Sequence, residues 1–93
     1  MFKHIILFKF REKADANKAK LMLEALVGKV PTLRSMEAGV NILDTYRSWD
    51  LSLIATFDDK AGYEAYDEHP EHLKVREFIK GARLESAAVD YEL

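Results

Sequence analysis

Two of the chain's three histidines and one of its tyrosines fall in a single short stretch, Tyr66-Asp67-Glu68-His69-Pro70-Glu71-His72. Helical spacing puts Tyr66 on the apolar side of one helix. Pro70 is suited to a first helical position, so His72 falls in the first turn of a second piece, in line with Val75 and Ile79. Both side chains are thereby directed inward. The third histidine, His4, stands among Phe2, Ile6, Phe8 and Phe10 on the more apolar face of an opening strand. An imidazole titrates near neutrality and can take a proton from an activated carbon, while a phenol can donate to the oxyanion that develops. That chemistry needs no cofactor. His72 is the candidate base, with Tyr66 and His4 assisting; Ile6, Phe8, Leu51, Leu53, His69 and Val75 are the candidate ligand-binding residues.

The same residues also fit a structural role, with His69 capping a helix, His72 packing, and His4 a satisfied core imidazole. A metal reading is weaker. Histidines three apart on a helix can share an ion, but Pro70 disturbs that register, and no metal site is expected. Leu51 and Leu53, with Trp49, Ala55 and Phe57, share one face of a later strand.

The elements that must position these groups are read from periodicity. A strand is expected over 2–11, with its odd face apolar only at the centre, at Ile5 and Leu7. Asp15 is the expected N-cap of a first helix carrying Ala19, Leu23, Leu26, Val27 and Val30 inward until Pro31 ends it. Residues 33–46 read as an irregular strand with a bulge or bend at Gly39. A turn at Arg47-Ser48 leads to a strand over 49–57. Asp58 or Asp59 caps the next helix, with Ala61, Ala65 and Tyr66 on one side. After Pro70 the helical pattern continues through Leu73, Val75, Phe78 and Ile79, and Gly81 is the expected stop. A last strand spans 84–91, with Ala87, Val89 and Tyr91 on one face.

Strand, helix, strand, strand, helix, strand is the split βαβ order of a ferredoxin-like α+β fold in one domain, residues 1–93. Right-handed crossovers put both helices on one side of a four-stranded antiparallel sheet. Ile5, Leu7, Ile54, Val89 and Tyr91 are left on the other side. An apolar patch of that kind marks an interface, and the expected partner is a second copy of the chain, packed sheet against sheet.

Four stretches resemble the stress-responsive dimeric α+β-barrel family: Lys3-His4-Ile5-Ile6-Leu7-Phe8-Lys9-Phe10, Asp50-Leu51-Ser52-Leu53, Tyr66 through His72, and Val89-Asp90-Tyr91-Glu92. The resemblance covers nearly the whole chain, and its most specific part is the H-P-x-H element with a tyrosine three residues before it. It implies a ferredoxin-like protomer in a tight homodimer, forming a dimeric α+β barrel. Most members look like stress-associated proteins without an assigned activity. A plant branch is similar to polyketide cyclases, and its functional residues fall on His4, Tyr66 and His72 here. Where those cyclases carry a further histidine in the third strand, this chain has Leu51. The expectation is a homodimer binding a small apolar or aromatic ligand; the alternative is a cofactor-independent cyclase or lyase working by acid/base chemistry. A monooxygenase of the same architecture ranks lower, since no motif places Trp49 or Asn41.

Composition narrows the rest. Fourteen Lys and Arg against sixteen Asp and Glu give a net charge of −2, so no basic excess exists for nucleic acid. With no cysteine there is neither disulfide nor thiol chemistry. The apolar start is too short for a membrane span and lacks a cleavage site, so the expected location is cytoplasmic, with no membrane partner.

Overall fold

The computed structural model describes residues 1–93. Strand β1 (Phe2–Phe10) leads to helix α1 (Ala14–Glu24), strands β2 (Ser35–Val40) and β3 (Leu51–Phe57), helices α2 (Lys60–Asp67) and α3 (Pro70–Ala82), and strand β4 (Arg83–Glu92). The strands form one antiparallel sheet in the order β2-β3-β1-β4. This is the ferredoxin-like α+β arrangement.

Register decides which side chains meet. On β1, His4 lies opposite Ala55 and Asp90, Ile6 opposite Leu53 and Ala88, and Phe8 opposite Leu51 and Ser86. Side chains alternate across a strand, so these rows share the front face with Phe2 and Phe10. Helix residues Ala19, Leu23, Tyr66, Val75 and Ile79 join Phe2, Phe8, Phe10, Leu51, Leu53 and Ala55 in an 18-residue buried core. The helical layer covers β1, β2 and β3 but stops short of β4, whose front residues Ser86 and Ala88 remain exposed. That uncovered strip becomes the mouth of a cavity.

On the rear face, Ile5 stands between Ile54 and Val89, Leu7 between Ser52 and Ala87, and Lys3 between Thr56 and Tyr91. Leu7 is 37% exposed, Val89 57% and Tyr91 39%. The apolar rear patch is present as expected.

Several local expectations are corrected. Helix α1 has Lys13, not Asp15, at its N-cap, without a side-chain capping bond; Asp15 sits in the first turn, where its charge still complements the helix dipole. The helix ends at Glu24 rather than before Pro31. Gly28, at φ 91°, turns the chain in a conformation other residues resist. Leu26 and Val30 stay buried from these turns, which is why the apolar period outlasts the helix. Strand β2 is shorter than 33–46, and Gly39 pairs regularly with Ser52, without a bulge. Trp49 precedes β3 and lies under the Lys9 ammonium, 4.9 Å from its ring centre. Gly81 does not stop α3; the chain passes directly into β4, and the Gly81 carbonyl accepts a 2.7 Å hydrogen bond from Arg11. Ala61 and Ala65 are exposed, and the inward side of α2 belongs to Tyr63 and Tyr66.

Candidate functional site

The junction of α2 and α3 is built by local chemistry. Asp59 caps α2, its carboxylate accepting from the Gly62 N–H at 2.9 Å. At the second helix start His69 is the N-cap, its Nδ1 accepting from the Glu71 N–H at 3.1 Å, with Pro70 in the first helical position. Arg76 reaches back to Asp67 at 2.9 Å and ties the two helices together. The corner brings Tyr66 and His72 face to face, ring centroids 4.1 Å apart with 33° between planes.

Each ring is prepared differently. The Asp67 carbonyl accepts a 2.9 Å hydrogen bond from His72 Nδ1. That leaves Nε2 with its lone pair. Burial is the main cause holding the His72 pKa below the ordinary histidine value, so the neutral base is favoured. Burial, followed by the neighbouring Tyr63 and Asp67, raises the Tyr66 pKa well above that of a free phenol. The Tyr66 hydroxyl therefore stays a donor. No fully sealed side-chain nitrogen or oxygen lacks a partner, and the Tyr66 hydroxyl makes no bond within the protein, so it opens onto space. One neutral base and one protonated acid lie side by side, their pKa values pushed in opposite directions.

That space is a cavity of about 450 Å³ between α3, the front of β1 and the uncovered front of β4. Pockets that hold small ligands run from about 300 to 1,000 Å³. Its walls include His4, Tyr66 and His72 together with Ile6, Phe8, Leu53 and Val75. Two candidate residues lie elsewhere. Leu51 is buried and borders a different, 680 Å³ concavity beneath the loop joining β2 to β3. His69 is occupied as a helix cap. No group of three or more His, Asp and Glu side chains gathers in a metal-holding arrangement.

Sequence reasoning missed three kinds of residue here. Tyr63 stacks on Phe2 at 5.1 Å and reaches the His4 ring at 4.8 Å, bridging β1 to α2. Its signal was available, since it precedes Tyr66 by one turn. Asp90 accepts a hydrogen bond from His4 Nδ1, which fixes that ring and leaves its Nε2 free. The third kind is cationic: Arg76, Lys80 and Arg83 line the outer part of the cavity.

The fold has counterparts among known proteins. The stress-responsive A/B barrel domain matches residues 2–93, nearly the whole chain. A stress-response A/B barrel domain-containing protein of Arabidopsis thaliana is 31% identical over 80 residues, 78% of this chain and 68% of that protein. The chain belongs to the stress-responsive A/B barrel family. A dimeric ferredoxin-like protein of unknown function from Bacteroides fragilis superposes with a TM-score of 0.87 at 32% identity, over 99% of this chain and 95% of that one. Hydroxynitrile lyase from Passiflora edulis superposes with a TM-score of 0.84 at 13% identity, over 99% and 92% of the two chains. That last likeness concerns the fold alone. No helix is long and apolar enough to cross a membrane.

Proposed function

We propose that the protein is a homodimer, joined through its rear sheet faces, in which each protomer binds a small apolar or aromatic molecule in the cavity between α3 and the sheet. The observation that carries the binding reading is an open 450 Å³ cavity whose lining joins the apolar Ile6, Phe8, Leu53 and Val75 to the rings of His4, Tyr66 and His72. Unsatisfied polar atoms facing a dry cavity are costly unless a ligand or water meets them. The dimer is supported by the apolar rear rows and by the dimeric state of the Bacteroides fragilis structure.

The pairing of His72 with Tyr66 favours a second, catalytic reading of the same cavity. A ligand carrying a carbonyl next to an acidic C–H would lose that proton to His72 Nε2, while the Tyr66 hydroxyl donates to the carbonyl oxygen as it becomes negative. In a cyclisation the enolate carbon attacks a second carbonyl carbon of the same ligand, and the oxygen of that carbonyl takes the proton back from His72 as the C–C bond forms. In a lyase-type cleavage the enolate expels a β-substituent, which leaves with the bonding pair and takes the proton. Neither course needs a cofactor.

The test is a thermal-stabilisation screen of small aromatic and polyketide-like compounds, followed by mass analysis of each hit after hours with the protein. Stabilisation without conversion supports the binding protein and removes the catalytic reading. Conversion that disappears in His72→Asn supports the enzyme. Absence of stabilisation by every compound would overturn both.

A further inference from the structure

The outer half of the cavity differs from the inner half in charge. Helix α3 repeats His72, Arg76 and Lys80 at four-residue intervals, and Arg83 follows where the helix gives way to β4. All four line the cavity. Arg76 is spent on Asp67 at 2.9 Å. Lys80 and Arg83 have no carboxylate within salt-bridge distance, although seven such contacts form in the protein, Arg76–Asp67 and His4–Asp90 among them. Arg83 is half-buried. A cation in the last helical turn complements the helix dipole, which accounts for Lys80 alone. It does not account for Arg83, a half-buried residue at the start of a strand whose guanidinium makes no hydrogen bond or ion pair within the protein.

Histidines aside, the charged lining is Asp67 against Arg76, Lys80 and Arg83, a surplus of two positive charges. Asp90, held behind His4, lowers that surplus to one at the far end. The chain as a whole carries −2. Positive charge is thus concentrated at this mouth against the sign of the molecule, where it would draw in anions.

We propose that the ligand of this cavity is amphipathic, with an apolar or aromatic body and an anionic head, a carboxylate or phosphate, bound by Lys80 and Arg83. The inference rests on the ligand-binding reading of the cavity and names the class of ligand. The head lies at the mouth, with the Ser86 hydroxyl beside it on β4. The body runs along Ile79, Val75 and Ile6, and its far end meets His72 and Tyr66. From His72 to Lys80 is eight residues of helix, about 12 Å at roughly 1.5 Å per residue. That spacing suits an aryl-alkyl acid.

Three probes that share a phenylpropyl body and differ in the head test this: 4-phenylbutyrate, 3-phenylpropyl phosphate and the neutral 4-phenylbutanamide, titrated calorimetrically at pH 7.5 and low salt. Charge-assisted hydrogen bonds predict that an anionic probe binds on the order of tenfold to hundredfold more tightly than the amide. In the double variant Lys80→Gln/Arg83→Gln that advantage disappears, while the amide binds as it does to the wild type. Neither side chain has a partner to lose, and an unchanged melting temperature without ligand verifies the fold. A preference for one anion over the other identifies the head group. Amide affinity equal to that of both anions, or an anionic advantage surviving the double variant, overturns the proposal and leaves the cavity a site for neutral ligands. Failure of all three probes, the amide included, overturns the ligand-binding reading with it.

Discussion

His72 and Tyr66 stack with ring centres 4.1 Å apart, one protein carbonyl having already claimed the imidazole's Nδ1–H. Both rings line one cavity, and neither the imidazole Nε2 nor the phenolic oxygen makes a hydrogen bond within the protein. Both groups are thereby left available to a bound molecule.

Removing only the phenolic oxygen separates chemistry from packing. Tyr66→Phe is expected to fold with a stability change within about 1 kcal/mol, because no internal hydrogen bond is lost. Any turnover of a converted ligand should fall on the order of hundredfold, the usual loss when one oxyanion donor is deleted. Chemical denaturation and initial rates measure the two effects separately. A large stability loss with unchanged turnover would make Tyr66 a packing residue only.

Acid should weaken the fold through His72. Its pKa in the folded protein lies below the ordinary value of 6.5, with burial as the first cause. Below pH 6.5 the unfolded chain therefore binds more protons than the folded one, and stability falls as pH drops through the folded pKa. Above 6.5 both states are neutral at this site and the contribution is complete. His72→Asn keeps a donor near the Nδ1 position but cannot titrate, so its melting temperature should decline less than that of the wild type between pH 6.5 and 5. Equal declines would refute this.

The rear face gives a mass prediction. Sedimentation of the wild type should return twice the 10.7 kDa protomer mass. Ile5→Glu places a carboxylate in the middle of the rear patch, whose burial across an interface costs several kcal/mol without a partner. Its expected mass is that of one protomer. The front-face core is untouched by this change, since Ile5 points away from it.

Helix capping predicts a loss of about 1 kcal/mol in His69→Ala and near recovery in His69→Asn, because asparagine is a strong N-cap. Neither variant should alter ligand affinity, as His69 does not line the cavity. A changed affinity in both would return His69 to the binding residues.

Periodicity carried most of the fold. The alternation in β1 is strong enough that both its buried and its exposed faces were legible, and with them the rear patch. Element ends were less legible, because Leu26 and Val30 are buried from turns and mimic two more turns of helix. In the site, the H-P-x-H stretch marked Tyr66 and His72, since proline and helical spacing act locally. Asp90 was not legible. It lies 86 residues from His4 in sequence, their contact depends on the register between β1 and β4, and nothing local encodes that offset. Lys80 and Arg83 look like any solvated basic residues until the uncovered β4 strip turns them into a mouth.

The pairing of β1 with β4 also sets an order of assembly. One wall of the cavity, and the carboxylate that steadies His4, come from β4, which follows every other wall along the chain. On the ribosome the earlier strands and helices emerge with the pocket still lacking a side. Ligand capture therefore waits for β4, and a chain cut short before it would present an apolar sheet edge to chaperones in place of a binding site.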